Sequence, residues 1–118
     1  MEIRVIKTPI ALSEAAKLAK DQFGDMLKAV VDVQREVLAI GGELHADEES
    51  LLLEDGSRPE HLWGINIYPE KPPEDRIEFD SMINVRPSQN NRSRGIDNPE
   101  IRTRISQIVK KMILPQSL

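Results

Sequence analysis

Two stretches of this chain, Leu62–Tyr68 and Ile77–Val85, alternate apolar and polar residues, and the link between them is Pro69-Glu-Lys-Pro-Pro-Glu-Asp75. Period-two alternation is the pattern of a half-buried strand. A link this short and proline-rich leaves no room for a helical crossover, so the two runs pair antiparallel. Pro72 and Pro73 keep the connection extended and outside the sheet, because proline brings no N–H to a ladder. A chain built around such a pair has to make an antiparallel sheet and cover one of its faces. At 118 residues there is room for one domain with a real core. Phe23, Trp63, Tyr68 and Phe79 are its only aromatic residues, so Leu, Ile and Val have to fill that core.

The remaining elements follow from periodicity and end signals. Glu2–Ile6 reads as a strand, with Ile3 and Val5 on one side, ended at Thr8-Pro9. Ser13 caps a short helix carrying Ala15, Leu18, Ala19 and Phe23, and Gly24 closes it. Residues 26–40 fit two patterns. Met26, Val30, Val33, Val37 and Ile40 make a helical stripe ended by Gly41-Gly42, while β-branched residues on either side of Gln34-Arg35 make a hairpin. The hairpin is the preferred of the two. Glu43–Glu60 carries seven carboxylates against Arg58, with Leu51-Leu52-Leu53 as a strand or one helical turn and Asp55-Gly56-Ser57 as a turn. The last element has the clearest ends: Asn98 caps, Pro99 opens, Glu100 suits the positive end and Lys110-Lys111 the negative end. Its stripe, Ile101, Ile105, Ile108, Val109, Met112 and Ile113, faces the sheet. The expected fold is a single α+β domain over residues 1–118, an antiparallel β-meander with two or more helices packed on one face.

Composition removes several function classes. With no cysteine there is no disulfide framework, thiolate metal site or thiol nucleophile. A net charge of -4 disfavours broad nonspecific nucleic-acid binding, which needs clustered positive charge. No apolar run approaches a membrane span, so no membrane partner is expected and the cytoplasm is the expected location.

Against that acidic background, Arg86-Pro-Ser-Gln-Asn-Asn-Arg-Ser-Arg-Gly95 holds three arginines and no carboxylate. Arginine's planar fork suits phosphate or carboxylate, and loops on a rigid scaffold often carry binding groups. Arg86, Ser88, Arg92, Ser93 and Arg94 are therefore the candidate ligand-binding residues, for a small anionic ligand. The competing reading makes the arginines clamps that pair with the acidic 43–60 segment.

Asp32, Glu43, His45, Asp47 and Glu48 form a second constellation. If 43–47 is extended, Glu43, His45 and Asp47 share a face at every second position. Such a set holds a divalent metal or exchanges protons, so Asp32, Glu43, His45 and Asp47 are the candidate catalytic residues of a metal-assisted hydrolase. The spacing matches no established metal motif, acidic runs are usually solvated faces, and no cofactor is specified. His61 reads as a surface residue beside a turn. Trp63 shares its side of the alternation with Ile65 and Ile67, which favours a core position. Its neighbour Gly64 and the scarcity of other aromatics also allow an interface anchor in a homo-oligomer joined through a strand edge. Asn66 and Asn84 interrupt apolar strands and are expected to face solvent or a second layer of hydrogen bonds.

Gly41-Gly-Glu-Leu-His-Ala-Asp-Glu48, Leu62-Trp-Gly-Ile-Asn66 and Ile83-Asn-Val-Arg-Pro87 with Asn91-Arg-Ser93 resemble blocks of a small prokaryotic family catalogued as a domain of unknown function. The resemblance spans nearly the whole chain. It implies no activity, substrate or catalytic residue, and whether the chain is an enzyme stays open.

Overall fold

The computed structural model describes residues 2–115. In chain order the elements are β1 (Arg4–Ile6), β2 (Ile10–Ala11), α1 (Leu12–Gln22), β3 (Leu27–Asp32), β4 (Val37–Ile40), α2 (His45–Glu54), β5 (Leu62–Ile67), β6 (Ile77–Glu78), α3 (Pro99–Met112) and β7 (Ile113–Leu114). Five strands form one antiparallel sheet in the order β1-β4-β3-β5-β6, and β2 pairs with β7 in a small parallel ribbon. The α+β class is as expected. The strand order is not a simple meander, since β1 lies beside β4 and β3 sits between β4 and β5.

Residues 26–40 form the hairpin. Asp32 organises its turn: Oδ1 accepts from the N–H groups of Gln34 and Arg35, both at 2.9 Å. An Asx arrangement of this kind gives the turn a side-chain acceptor that Gln-Arg alone lacks. From the far end of the acidic segment, Ser57 Oγ donates to Asp32 Oδ2 at 2.6 Å, and Arg35 bridges Ser57 and Asp55.

Alternation along β3, β4 and β5 divides the interior in two. Leu27, Ala29, Val31, Leu38, Ile40, Trp63, Ile65 and Ile67 face α1 and α3, while Val30, Val37, Ala39 and Leu62 face Leu52 of α2. Helices therefore cover both faces, where the sequence suggested one. The acidic segment is responsible, because residues 45–54 are helical and bury His45, Glu48 and Leu52 at helical spacing. Leu51-Leu52-Leu53 is part of that helix. The α3 stripe packs as expected, with Ile105, Ile108, Val109 and Met112 buried, and Asn98 Oδ1 accepts from the Glu100 N–H at 2.8 Å.

Three local expectations need correcting. α1 starts at Leu12 with Ala11 at its cap position, so Ser13 lies inside the helix; the Gly24 N–H does reach Ala19 O, at 2.7 Å. Pro73 opens a single 3-10 turn, Pro73–Asp75, within the link between β5 and β6. The run 77–85 is a strand only at Ile77–Glu78 and then coils into a 3-10 turn at Met82–Asn84.

The cause of that early end lies at Gly64. A Cβ there would fall 2.6 Å from both Cβ and Oγ of Ser81, so the segment presses onto β5 in a way only glycine admits. The Asn84 amide then takes the place of a paired strand. Its Oδ1 accepts from the Gly64 N–H at 2.8 Å, and its Nδ2 donates to Gly64 O at 2.9 Å and Arg94 O at 3.0 Å. Asn84 is fully buried, so of the two expected settings, solvent or a second layer of hydrogen bonds, it takes the second.

Candidate functional site

The arginine loop is an ordered structure built on a second amide. Buried Asn91 donates from Nδ2 to the carbonyls of Asn84, Ser93 and Gly95, and its Oδ1 accepts from the Asp97 N–H. Backbone groups of Arg86 and Asn91 pair in both directions. Arg86 turns inward, donating to the carbonyls of Pro59 and Leu62 and to Gln89 Oε1, with its guanidinium 4.2 Å from the centroid of the Trp63 ring. Arg86 is thus an internal clamp, although its partners are carbonyls and a ring rather than the carboxylates of 43–60. Ser88 and Arg92 face solvent, Ser93 Oγ donates to Asp97, and Arg94 pairs with Asp80 at 2.8 Å.

Arg94 also lines a cleft of about 250 Å³ between the start of α2 and residues 80–83. Lys28, His45, Asn66, Asp80 and Ser81 line it too, with the exposed side chains of Leu44 and Met82. Strand register explains part of this convergence. Lys28 and Asn66 are directly paired across β3 and β5, two residue pairs from Val30 and Gly64, and so point to the α2 side. His45 comes from the first turn of α2, and Asp80 and Arg94 from the two ends of the folded-back segment that contacts Gly64.

The chemistry of the cleft is set by burial. His45 Nε2 lies 2.8 Å from Ile65 O, an obligate acceptor, so Nε2 carries the proton and Nδ1 the lone pair. Burial holds the imidazole below its ordinary pKa against that hydrogen bond; Lys28 and Arg94 add to the lowering, and Asp80 opposes it. The side chain is therefore a neutral proton acceptor near pH 7. Asn66 Nδ2 donates to Glu78 Oε1 at 2.8 Å and approaches Asp80 O at 3.4 Å, which fixes the amide orientation. Its Oδ1 is buried with no partner among the described residues. One turn along α2 from His45, Glu48 is fully buried, and its Oε2 accepts from the Gly42 N–H at 3.0 Å. Burial pushes its carboxyl up to about 9, opposed by the Gly42 bond and Lys28.

The proposed catalytic set does not assemble. Because α2 starts at His45, Glu43, His45 and Asp47 do not alternate along a strand; Glu43 and Asp47 are exposed while His45 is buried. Asp32 is committed to the hairpin turn and Ser57. Among the described residues no group of three His, Asp or Glu side chains is placed to hold a metal. His45 keeps its place in the cleft, but with Lys28, Asn66, Asp80 and Arg94 rather than its acidic neighbours in sequence. The i, i+3 spacing of His45 and Glu48 before Leu52 carried a helical signal; the Lys28–Asn66 pairing had none, since register is not written in either strand alone. Trp63 is 2% exposed in a strand flanked by β3 and by the Asn84–Arg86 clamp, so it offers no surface anchor.

Fold and cleft define a small α+β protein with a one-histidine cleft, charged groups set among apolar side chains, on the α2 side of its sheet. The chain belongs to a family described as a protein of unknown function, DUF5674, which matches residues 4–112. No curated protein and no solved structure matches it. No helix among the described residues is long and apolar enough to cross a membrane.

Proposed function

We propose that this protein binds a small molecule bearing a carboxylate or phosphate in the cleft between α2 and residues 80–94. The observation that carries this reading is that Arg94 and Lys28 line one cleft with Asn66, whose Oδ1 is buried without a partner among the described residues. Two cations face one carboxylate, Asp80, which leaves net positive charge for an anion. An acceptor without a donor calls for a ligand that also carries a hydroxyl or N–H. Of the loop residues singled out by composition, Arg94 is the contact to the ligand; Arg86 shapes the loop behind it.

Isotope-labelled protein titrated with lactate, acetate and inorganic phosphate tests this. Lactate places a hydroxyl beside its carboxylate and should shift the amides of residues 44–46, 66 and 80–83 more strongly than acetate. Arg94→Ala should weaken lactate binding by about tenfold, the scale of one charge-assisted hydrogen bond, whereas Arg92→Ala should not. Equal losses in the two variants would show only diffuse surface attraction. A second reading, in which the cleft transfers a proton, is favoured by the His45 tautomer, which leaves Nδ1 basic toward a bound ligand. His45→Gln would then retain lactate binding and abolish exchange of the lactate α-hydrogen with solvent deuterium.

A further inference from the structure

On the opposite face of the sheet, α3 and residues 73–79 enclose a groove of about 530 Å³, twice the size of the His45 cleft. We propose that it is a separate binding site for an amphipathic carboxylate, an apolar chain ending in a single anionic group. Ile77, Phe79, Val109 and Ile113 form its apolar walls, and all four belong to or pack on the α1–α3 side of the core. The volume lies in the range of sites that enclose small ligands.

The polar groups are few and mostly cationic. Arg76 and Lys110 line the groove against one acid, Glu74. Arg76 is held in place by Nη2, which donates to Lys71 O at 3.0 Å, while its Nε–H is buried with no acceptor among the described residues. A buried donor in that state is incomplete, and a carboxylate supplies the missing acceptor. Lys110 makes no hydrogen bond or ion pair among the described residues and is exposed at the rim. A second copy of the chain is a weaker occupant, because β6, the strand at this edge, is only two residues long and gives little template for pairing.

Titration of the full chain with decanoate, decanol and acetate, followed by amide shifts, tests the site. Decanoate should bind saturably with shifts at residues 76–79 and 106–113, decanol about tenfold more weakly, and acetate without shifts there. Arg76→Gln should weaken decanoate by about tenfold, the scale of one charge-assisted bond, and leave decanol unchanged. Ser106→Trp, which fills the groove from its rim, should abolish both; Lys110→Glu gives a second test at an exposed position. Arg94→Ala should leave decanoate binding intact, so this site and the His45 cleft stand or fall separately. Equal affinity for decanoate and decanol, or decanoate binding untouched by Ser106→Trp and Lys110→Glu, would overturn the proposal. So would a dimer that Ser106→Trp dissociates and decanoate does not, since the groove would then be covered by another copy.

Discussion

The two parts of the arginine loop both carry arginine and serine and have opposite fates. Residues 86–91 are consumed by the fold: Arg86 is spent on the carbonyls of Pro59 and Leu62, and Asn91 on three more. Residues 92–94 hang from that frame, with Arg92 in solvent and Arg94 at the mouth of a cleft. An arginine near unpaired strand carbonyls becomes structure, and one a few residues further on is left for chemistry. Charge content alone does not separate them; the distance to an open β5 edge does.

Four measurements sharpen or break that division. The largest effect is expected from Asn84→Ala, which strips partners from Gly64 N–H, Gly64 O and Arg94 O. At about 1–3 kcal/mol for each buried group left unpaired, urea unfolding should show a loss of at least ~3 kcal/mol. A loss under ~1 kcal/mol would mean that the amide is no substitute for a strand.

Glu48 comes next. Its folded-state pKa of about 9 lies above the ordinary 4.5, so the native state keeps a proton that the unfolded chain releases. Its contribution is fully present below about pH 4.5 and is lost as pH rises toward 9. One proton sets a slope of at most about 1.4 kcal/mol per pH unit, so stability should fall by up to about 3 kcal/mol from pH 6 to 8. Glu48→Gln should flatten that profile and stabilise the protein at pH 8. A slope that survives the substitution would place the titrating group elsewhere.

For Arg86→Ala we expect about 2 kcal/mol, from lost carbonyl contacts and the stacking on Trp63. Smallest of all, Arg92→Ala and Arg94→Ala should each change stability by no more than ~0.5 kcal/mol, as exposed side chains do. A melting-temperature drop of ~4–8 °C in either would correspond to about 1 kcal/mol and make the outer half structural as well.

Much of the fold was legible because local signals agreed. Asn98-Pro99 opens α3, Gly24 closes α1, and alternation marks β5. What misled was ambiguity between periods: His45 and Asp47 satisfy a strand alternation, yet His45, Glu48 and Leu52 satisfy a helix that buries all three, Leu52 against Val30 and Leu62. Ile77–Val85 alternates correctly but stops pairing after Glu78, because side chains of Ser81 and Asn84 meet β5 where backbone was expected. Of the candidate site, His45 and Arg94 could be named from sequence; their meeting with Lys28 and Asn66 depends on register and on the fold-back at Gly64, which are tertiary.

The Asn84 clamp also bears on the order of assembly. The bonds between Asn84 and Gly64 are worth little while water competes for them, and Gly64 is shielded from water only once β5 is docked on β3, so we expect the clamp to gain its strength after the sheet. Its contribution then falls on the unfolding side of the barrier: Asn84→Ala should accelerate unfolding while barely slowing refolding, with a φ-value near zero. The same late closure sets how long the chain persists once folded, making a buried amide in a loop the latch on its kinetic lifetime.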